Sequence, residues 1–167
     1  HVIHEDEELA MRKMYWEDGE IRQAPALART IVAERKDGQI ETTEQLKSVL
    51  KKHLPPRKEN KILAQIYQAI RIEVNQEIEA LKEFLTQVPE LLNPEGRLSF
   101  ISYHSLEDRL VKRFIRSGMF EGEPEKDVFG NFEVPLKRIG KLIIPSQEEI
   151  KINNRARSAK LRIAEKV

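Results

Sequence analysis

The chain has 167 residues, of which 40% are hydrophobic and 34% are charged, and its formal net charge is +1. A chain of this length can form one compact core, or one core with a small appended domain. It contains no cysteine, which excludes disulfide bonds and thiolate metal sites, and no apolar run approaches the roughly 18 residues of a membrane-spanning helix. These features are typical of a soluble cytoplasmic protein.

The charges are distributed unevenly along the chain. Residues 1–20 contain seven acids and two bases, a net charge of −5. Residues 47–61 and residues 151–167 each contain six bases and one acid, a net charge of +5 in each segment. Two basic segments in a nearly neutral chain indicate surfaces that face nucleic acid.

Three short helices are predicted in the first third of the chain. The spacing of apolar residues predicts the first over residues 5–16 and the second over residues 21–35. Thr42 and Gln45 fit a capping box at the start of the third. Together the three helices predict a small all-helical domain over residues 1–58.

A longer helical pattern follows, from residue 59 to about residue 92. We expect a break near Gln76 or just before Pro89, because proline disfavours helix at the residue that precedes it. We expect this helix to pack on a sheet formed by the residues that follow it.

Three strands are predicted after the long helix. The first is a short apolar run within residues 98–103, which is typical of a strand buried on both faces. The second covers residues 136–144 and is interrupted at Gly140, which predicts a bulge. The third covers residues 159–164, where apolar and mostly basic side chains alternate as in a half-buried strand.

A polar elbow connects the first of these strands to a helix. Tyr103, His104 and Ser105 lie at the elbow, and apolar residues at helical spacing continue from there to Gly118. Ser105 and Asp108 fit a capping box in which Asp replaces the usual Glu. In open α/β sheets, ligands bind at the carboxyl ends of the strands, so the elbow is a candidate site.

The elbow sequence YHSLEDRLVKRF, residues 103–114, resembles the signature of the bacterial 16S ribosomal RNA cytosine-N4 methyltransferases. YQAIRIEVNQE at residues 67–77 and RARSAKLRIAEK at residues 155–166 resemble two further motifs of that family, in the same order along the chain. Two turns depart from the family pattern, since Glu95 stands where the family usually has glycine and Asn154 where it usually has proline. Members of this family use S-adenosylmethionine to methylate the N4 amine of a cytosine in the decoding region.

The resemblance implies an α/β fold of a particular kind. It would be the C-terminal half of a Rossmann-like class I methyltransferase sheet, with about three strands, preceded by a small all-helical insertion domain. The insertion domain, residues 1–58, would face RNA, and residues 59–167 would belong to the methyltransferase domain. The strand within residues 98–103 would be central, with the last strand antiparallel beside it.

The cofactor motif of the family does not occur in this chain. None of its seven glycines lies within three positions of another, so no G-x-G pattern exists and no Gly-rich loop can hold S-adenosylmethionine. We therefore expect the chain to be the C-terminal portion of a longer enzyme, with its cofactor residues in the missing N-terminal half, and to be inactive alone.

The resemblance also implies roles for individual residues. His104 and Ser105, together with Asn75 on the long helix, would act on the target cytosine. Methyl transfer to an exocyclic amine requires a polar clamp and close positioning of the flipped base, which these side chains could supply. The residues that would bind the RNA substrate or support its pocket are Arg71, Asp108, Arg109, Arg155, Arg157 and Lys160.

Most of these residues also have a purely structural interpretation. Ser105 and Asp108 could only cap the helix while His104 satisfies a backbone group, and the basic run over residues 155–162 could be a solvated sheet edge. A hydrolytic Ser-His site is disfavoured, because adjacent residues seldom place a base correctly. The four histidines, at positions 1, 4, 53 and 104, lack the spacing of metal ligands, so no metal site is expected.

On the long helix, Arg71 and Asn75 share one face, from which Glu77 is displaced by its spacing. This set could equally be a solvated stripe or part of the site.

Two functions remain open at this point. One is an rRNA methyltransferase whose partner is the 16S ribosomal RNA of the small subunit, without a membrane. The other is a stand-alone RNA-binding or scaffold module. The missing Gly-rich loop favours this second function. The elbow, which RNA binding alone does not require, favours the methyltransferase. Because the first strand would lack a neighbour on one side, we also expect self-association of the chain, such as a homodimer.

Overall fold

The computed structural model describes residues 2–167, which form two compact units, an N-terminal unit that extends to Glu77 and a C-terminal unit, Ile78–Val167. The helices of the N-terminal unit are α1 (Val2–Glu5), α2 (Glu8–Glu17), α3 (Ala24–Glu34), α4 (Thr43–Leu50), a 3₁₀ turn (Lys51–His53) and α5 (Glu59–Asn75). The elements that follow are α6 (Glu77–Leu91), β1 (Arg97–Ser102), α7 (Ser105–Ser117), β2 (Leu136–Ile143), α8 (Gln147–Ile152), a 3₁₀ turn (Asn154–Ser158) and β3 (Lys160–Lys166). The prediction of an α/β chain with three strands is confirmed. None of the helices described for residues 2–167 is long and apolar enough to cross a membrane.

The N-terminal unit is built around an apolar core to which all five of its helices contribute. The predicted capping box at the start of α4 is confirmed, with both Thr42 and Gln45 in place. The helix predicted over residues 5–16 corresponds to α2, which begins later, at Glu8, and the separate short helix α1 precedes it.

The helix α5 packs into this helical core. Leu63, Ile66 and Ala69 are buried among the residues of the other four helices. The expectation that the long helix packs on the sheet is confirmed for its second half, α6, whose Leu85 and Val88 are buried with Leu98 of β1. The apolar face of its first half, α5, is covered within the N-terminal unit instead. The boundary predicted between residues 58 and 59 differs accordingly from the division that packing makes after Glu77.

The long helical pattern breaks at Gln76, one of the two predicted positions. Gln76 adopts a left-handed conformation, with φ 52° and ψ 40°, and its amide closes the last turn of α5. Pro89 lies inside α6 without ending it. The break therefore depends on a single left-handed residue, and α6 begins immediately after it.

The three strands form an antiparallel sheet in the order β1-β3-β2. The predicted antiparallel pairing of the last strand with the first is confirmed. In the sheet that residues 2–167 form, however, the middle strand is β3 and not β1, so β1 has one paired edge and one unpaired edge.

The two faces of the sheet differ in what covers them. Leu85 of α6 and Val111 and Phe114 of α7 pack against Leu98 and Ala164 on one face. On the other face Ile101, which is 54% exposed, and Ile143, which is 49% exposed, remain accessible. β1 is thus buried on one face only, and the expectation of burial on both faces is wrong for this chain.

Gly140 and Glu95 both adopt backbone conformations with a positive φ. The register between β2 and β3 shifts after Ile139, and Gly140 has φ +66°, which confirms the predicted bulge. Glu95 adopts φ 63°, a conformation that favours glycine, at one of the two positions where the chain departs from the family pattern.

Gly118 is a residue of the C-terminal unit at which we expect a side chain to be costly. It ends α7 with φ +69°, and an added Cβ would lie 2.9 Å from Cδ of Pro135. We predict that Gly118→Ala lowers the free energy of unfolding by about 1–2 kcal/mol, the cost of a left-handed non-glycine residue, with the clash adding to it. Urea unfolding followed by circular dichroism measures this change. Tryptophan fluorescence would not report on the C-terminal unit directly, because the single tryptophan, Trp16, lies in the N-terminal unit.

Gly38 provides the matched control. An added Cβ there would meet no atom within 4 Å, and its φ lies outside the left-handed region. Gly38→Ala should leave the free energy of unfolding within about 0.5 kcal/mol. Equal effects of the two substitutions would contradict the structural account of Gly118.

Candidate functional site

The elbow between β1 and α7 is organised by His104, which is the N-cap of the helix. Its Nδ1 accepts a hydrogen bond from the backbone amide of Glu107, at 3.4 Å. The expectation that Ser105 is the cap is wrong, because Ser105 already has helical geometry as the first residue of α7. The structural interpretation of His104, that it satisfies a backbone group, is confirmed.

The carboxylate of Glu107 completes this cap from the other direction. Its Oε2 accepts a hydrogen bond from the Tyr103 amide at 3.0 Å, and its Oε1 lies 3.0 Å from Nε2 of His104. That contact lacks the alignment of a hydrogen bond, and Nε2 is buried without another partner among residues 2–167. Burial alone would raise the pKa of Glu107, but the His104 ring and the Tyr103 amide hold it below its ordinary value.

Sequence reasoning missed Glu107 as a member of the site, although a signal was available. A capping box places a carboxylate three residues after the cap, which is the spacing of His104 and Glu107. The side chain of His104 is only 13% exposed, whereas Tyr103 is 57% exposed and Ser105 is also exposed. The elbow therefore presents Tyr103 and Ser105 outward and keeps His104 as their support.

Asp108, one turn into α7, is buried and joins the helix to the middle strand of the sheet. Its two carboxylate oxygens accept hydrogen bonds from Nε and Nη2 of Arg162, at 2.7 and 3.1 Å. Nζ of Lys160 lies 3.3 Å from Oδ2. The expected capping role of Asp108 is wrong, because two cations on β3 engage its carboxylate instead.

The environment of this carboxylate changes its titration. Burial alone would raise the pKa of Asp108, but the hydrogen bonds to Arg162 and Lys160 hold it below its ordinary value of 3.8. Sequence reasoning did not assign Arg162 to the site. The alternation along β3 gave a signal, since Lys160 and Arg162 must lie on the same face of that strand.

In the N-terminal unit, a second polar set forms where α5 ends. Glu77 accepts hydrogen bonds from Nη2 of Arg71, at 3.0 Å, and from the side-chain nitrogen of Asn75, at 3.1 Å. Nε of Arg71 also lies 2.9 Å from Oε1 of Glu77 in the same ion pair. The expectation that Glu77 is displaced from the other two is wrong, because the left-handed turn at Gln76 brings it back to their side. All of these residues except Glu77, which is half-buried, are exposed.

The remaining predicted substrate-binding residues are exposed cations. Arg155 and Arg157 lie on the 3₁₀ turn Asn154–Ser158, and neither forms an ion pair in the part of the chain that the structure describes. Arg109 is exposed on α7. Lys160 differs from these three because it is half-buried and contacts Asp108.

The described residues do not fit S-adenosylmethionine or a metal ion. Residues 102–105, where β1 leads into α7, contain no glycine that would let backbone amides approach a cofactor. Among residues 2–167, no three His, Asp or Glu side chains come together in a metal-binding arrangement. His1 lies outside the described residues.

Comparison with known proteins identifies the group to which these features belong. The chain matches the description "MraW methylase family" over residues 1–167. It belongs to the MraW methylase family. The match extends through both units and includes all three motifs noted in the sequence.

Relatives of this MraW-family chain carry a common name. A protein of Flavobacterium johnsoniae called "Ribosomal RNA small subunit methyltransferase H" is 67% identical over 166 residues, 99% of this chain and 55% of the relative. Proteins with the same name in Christiangramia forsetii and Bacteroides fragilis are 68% and 45% identical, also over 99% of this chain and 55% of each relative. The MraW-family chain thus spans about half the length of these curated relatives.

The buried pair of Asp108 and Arg162 leads to a prediction about stability and pH. We predict that Asp108→Asn lowers the free energy of unfolding by about 3 kcal/mol near neutral pH, because it leaves the Arg162 guanidinium buried without its counter-charge. The native pKa of Asp108 is depressed, so its contribution is present above the unfolded pKa and is lost as the pH falls through the native pKa. The difference between wild type and variant should therefore disappear in strong acid. Urea unfolding at a series of pH values measures it.

Glu125→Gln serves as the matched control for this prediction, because Glu125 is an exposed carboxylate in the loop between α7 and β2. It should change the free energy of unfolding by less than about 0.5 kcal/mol at any pH. A pH-independent loss in Asp108→Asn would contradict the assignment of its effect to the carboxylate charge.

Proposed function

We propose that this chain is the C-terminal part of an enzyme that transfers a methyl group from S-adenosylmethionine to the N4 amine of a cytosine in 16S ribosomal RNA. The observation that carries the proposal is the family match over residues 1–167, together with relatives named as small-subunit rRNA methyltransferases. Its substrate would be the small ribosomal subunit in the cytoplasm. The cofactor would be held by the part of the enzyme that this chain does not contain.

Two features of the sheet support a larger, Rossmann-like domain. β1 has an unpaired edge in the described sheet, and the face that carries Ile101 and Ile143 is not covered by α6 or α7. In a doubly wound sheet, helices cover both faces and inner strands have two neighbours. We therefore propose that further strands and helices pair with β1 and cover this face in the whole enzyme, and that the chain alone self-associates there.

The elbow is the proposed clamp for the target base. The N4 amine of cytosine is a hydrogen-bond donor, so a site that holds it must offer acceptors. The exposed side chain of Ser105 places a hydroxyl group at the elbow, and His104 fixes the local backbone through its contacts with Glu107. His104 thus acts in this proposal by positioning the clamp, and its two ring nitrogens face Glu107.

Asn75 is proposed as a further residue that acts on the target cytosine. The side-chain nitrogen Nδ2 of Asn75 donates to Glu77, so the side-chain oxygen Oδ1 is directed elsewhere and can act as an acceptor. We propose that this oxygen accepts a hydrogen bond from the exocyclic amine. Arg71 supports Asn75 through Glu77. The ion pair of Arg71 with Glu77 also reduces the positive charge that Arg71 offers to RNA.

Binding of the RNA backbone is assigned to exposed cations. Arg155 and Arg157 are suited to phosphate, because a guanidinium group can donate two hydrogen bonds to one phosphate. Arg109 lies on the exposed surface of α7 beside the elbow. Lys160 and Asp108 would support the elbow through their contact with each other. We also propose that the helical N-terminal unit faces the RNA.

These assignments predict a division of effects in the full-length enzyme. His104→Ala or Asn75→Ala should lower the turnover number at least about tenfold with little change in RNA affinity, because they affect the position of the base. Arg155→Ala and Arg157→Ala should instead weaken RNA binding and reduce the slope of its salt dependence by about 0.7–0.9 for each phosphate that is no longer bound. Methyl transfer to small ribosomal subunits and RNA binding at several salt concentrations provide the two measurements.

Lys126→Ala is the control, since Lys126 is an exposed cation in the loop between α7 and β2. It should change neither turnover nor the salt dependence of binding. Loss of RNA affinity without loss of turnover in His104→Ala would rule out the clamp, and an unaltered salt slope in the arginine variants would identify a solvated sheet edge.

A further inference from the structure

An apolar hollow with basic residues at its rim lies in the C-terminal unit, between the second half of α7 and the start of β2. Its volume is about 330 Å³, within the range of small-ligand sites. The buried side chains of Ile115 and Leu136 contribute to its apolar floor. The cations that line it outside the Asp108 pair are Lys112, Arg116, Lys137 and Arg138.

The charges around this hollow are all of one sign. Five of its eight lining residues are Lys or Arg, and none is Asp or Glu. The Arg162 guanidinium among them is paired with Asp108. Lys137 stands opposite Glu165 of β3, whereas Lys112, Arg116 and Arg138 form no ion pair within the part of the chain that the structure describes.

These cations are exposed and no carboxylate of the hollow compensates them, so an anion can reach them. Lys112 and Arg116 are separated by one helical turn, and like charges at this spacing destabilise a helix. The chain has 28 acids for 29 Lys and Arg residues, and elsewhere it pairs cations such as Arg71 and Arg97 with glutamates. The absence of a carboxylate leaves these cations of the hollow available to an anion from outside the chain.

The larger hollow of the N-terminal unit is a weaker candidate for the same role. Its volume is about 880 Å³, but two glutamates, Glu44 and Glu59, contribute to its lining. Glu59 also lies 2.7 Å from Nζ of Lys47 and neutralises that cation. A polyanion would meet carboxylates there, which it would not meet in the hollow beside α7.

We propose that the hollow beside α7 binds the sugar-phosphate backbone of the RNA substrate, at nucleotides adjacent to the one held at the elbow. The Lys112, Arg116 and Arg138 side chains would contact phosphate oxygens, and the apolar floor would receive a sugar. This inference rests on the proposed function, because it takes the elbow as the position of the target base.

The position of the hollow along α7 agrees with this arrangement. A helix rises about 1.5 Å per residue, so Lys112 and Arg116 lie roughly 10 and 16 Å from Ser105 along the axis. Phosphates a few nucleotides away from the target base would be at such distances. The hollow therefore adds a second region of backbone binding, separate from Arg155 and Arg157.

The test is the salt dependence of binding of a short, fluorescently labelled single-stranded RNA to the full chain. The triple variant Lys112→Ala, Arg116→Ala, Arg138→Ala should bind at least about tenfold more weakly at low salt. Its log–log salt slope should be about 2 smaller in magnitude, since each phosphate of a single strand that the protein neutralises contributes about 0.7. The conservative triple variant Lys112→Arg, Arg116→Lys, Arg138→Lys should retain the wild-type slope.

A matched control removes the same charge elsewhere. Lys82→Ala, Lys126→Ala, Lys141→Ala changes three accessible lysines of the C-terminal unit that lie outside the hollow, and it should leave the slope unaltered. Equal losses of affinity in the two alanine triple variants would overturn the proposal. Polyglutamate that competes with RNA as strongly as unlabelled RNA does would also overturn it, by assigning the hollow to an acidic protein partner.

The binding assay separates this inference from the proposed function, because it needs no methyl transfer. If the full-length enzyme fails to methylate ribosomal RNA but the slope depends on the hollow, the proposed function fails and RNA binding at the hollow remains. If methylation occurs but the slope does not depend on Lys112, Arg116 and Arg138, the hollow alone is rejected.

Discussion

The buried ion pair between Asp108 and Arg162 is the interaction on which the C-terminal unit depends most. Asp108 is 7% exposed and the Arg162 side chain 10% exposed, and the guanidinium binds the carboxylate through two nitrogens. Removing two charges from water is costly, and only such bidentate geometry compensates for it. The pair fixes the first turn of α7 against the middle strand of the sheet. The elbow that precedes this turn is thereby held at the end of β1.

A second consequence of this pair is the role left to His104. Because Asp108 is engaged by β3, the orphan amides at the start of α7 must find other acceptors. The ring of His104 supplies one for Glu107, and the Glu107 carboxylate in turn accepts from Tyr103. The elbow is thus a self-contained cap that leaves Tyr103 and Ser105 exposed to a ligand.

Local chemistry made much of the fold predictable from sequence. The capping box at Thr42, the break at Gln76 and the bulge at Gly140 each depend on a few neighbouring residues, and each was expected. The antiparallel pairing of β3 with β1 followed from the family resemblance. These features need no knowledge of distant contacts.

The errors arose where distant residues or an unusual backbone conformation decide between local alternatives. Asp108 has the spacing of a cap, but its partner Arg162 lies 54 residues further along the chain and pulls it away from that role. Regular helical spacing placed Glu77 on the wrong face, because the left-handed conformation of Gln76 redirects the side chain that follows it. The helix α5 has an apolar face that suits either a sheet or a helical core, and periodicity cannot distinguish the two.

We propose that the Asp108–Arg162 pair positions the elbow for methyl transfer in the whole enzyme. A double-mutant cycle in the full-length enzyme, with Asp108→Asn, Arg162→Met and both together, tests it most directly through turnover and KM for small ribosomal subunits. We expect each single variant to lower turnover at least about tenfold with KM unchanged. We expect the turnover of the double variant to be no lower than that of the slower single variant. Losses that multiply in the double variant, or that appear only in KM, would contradict it.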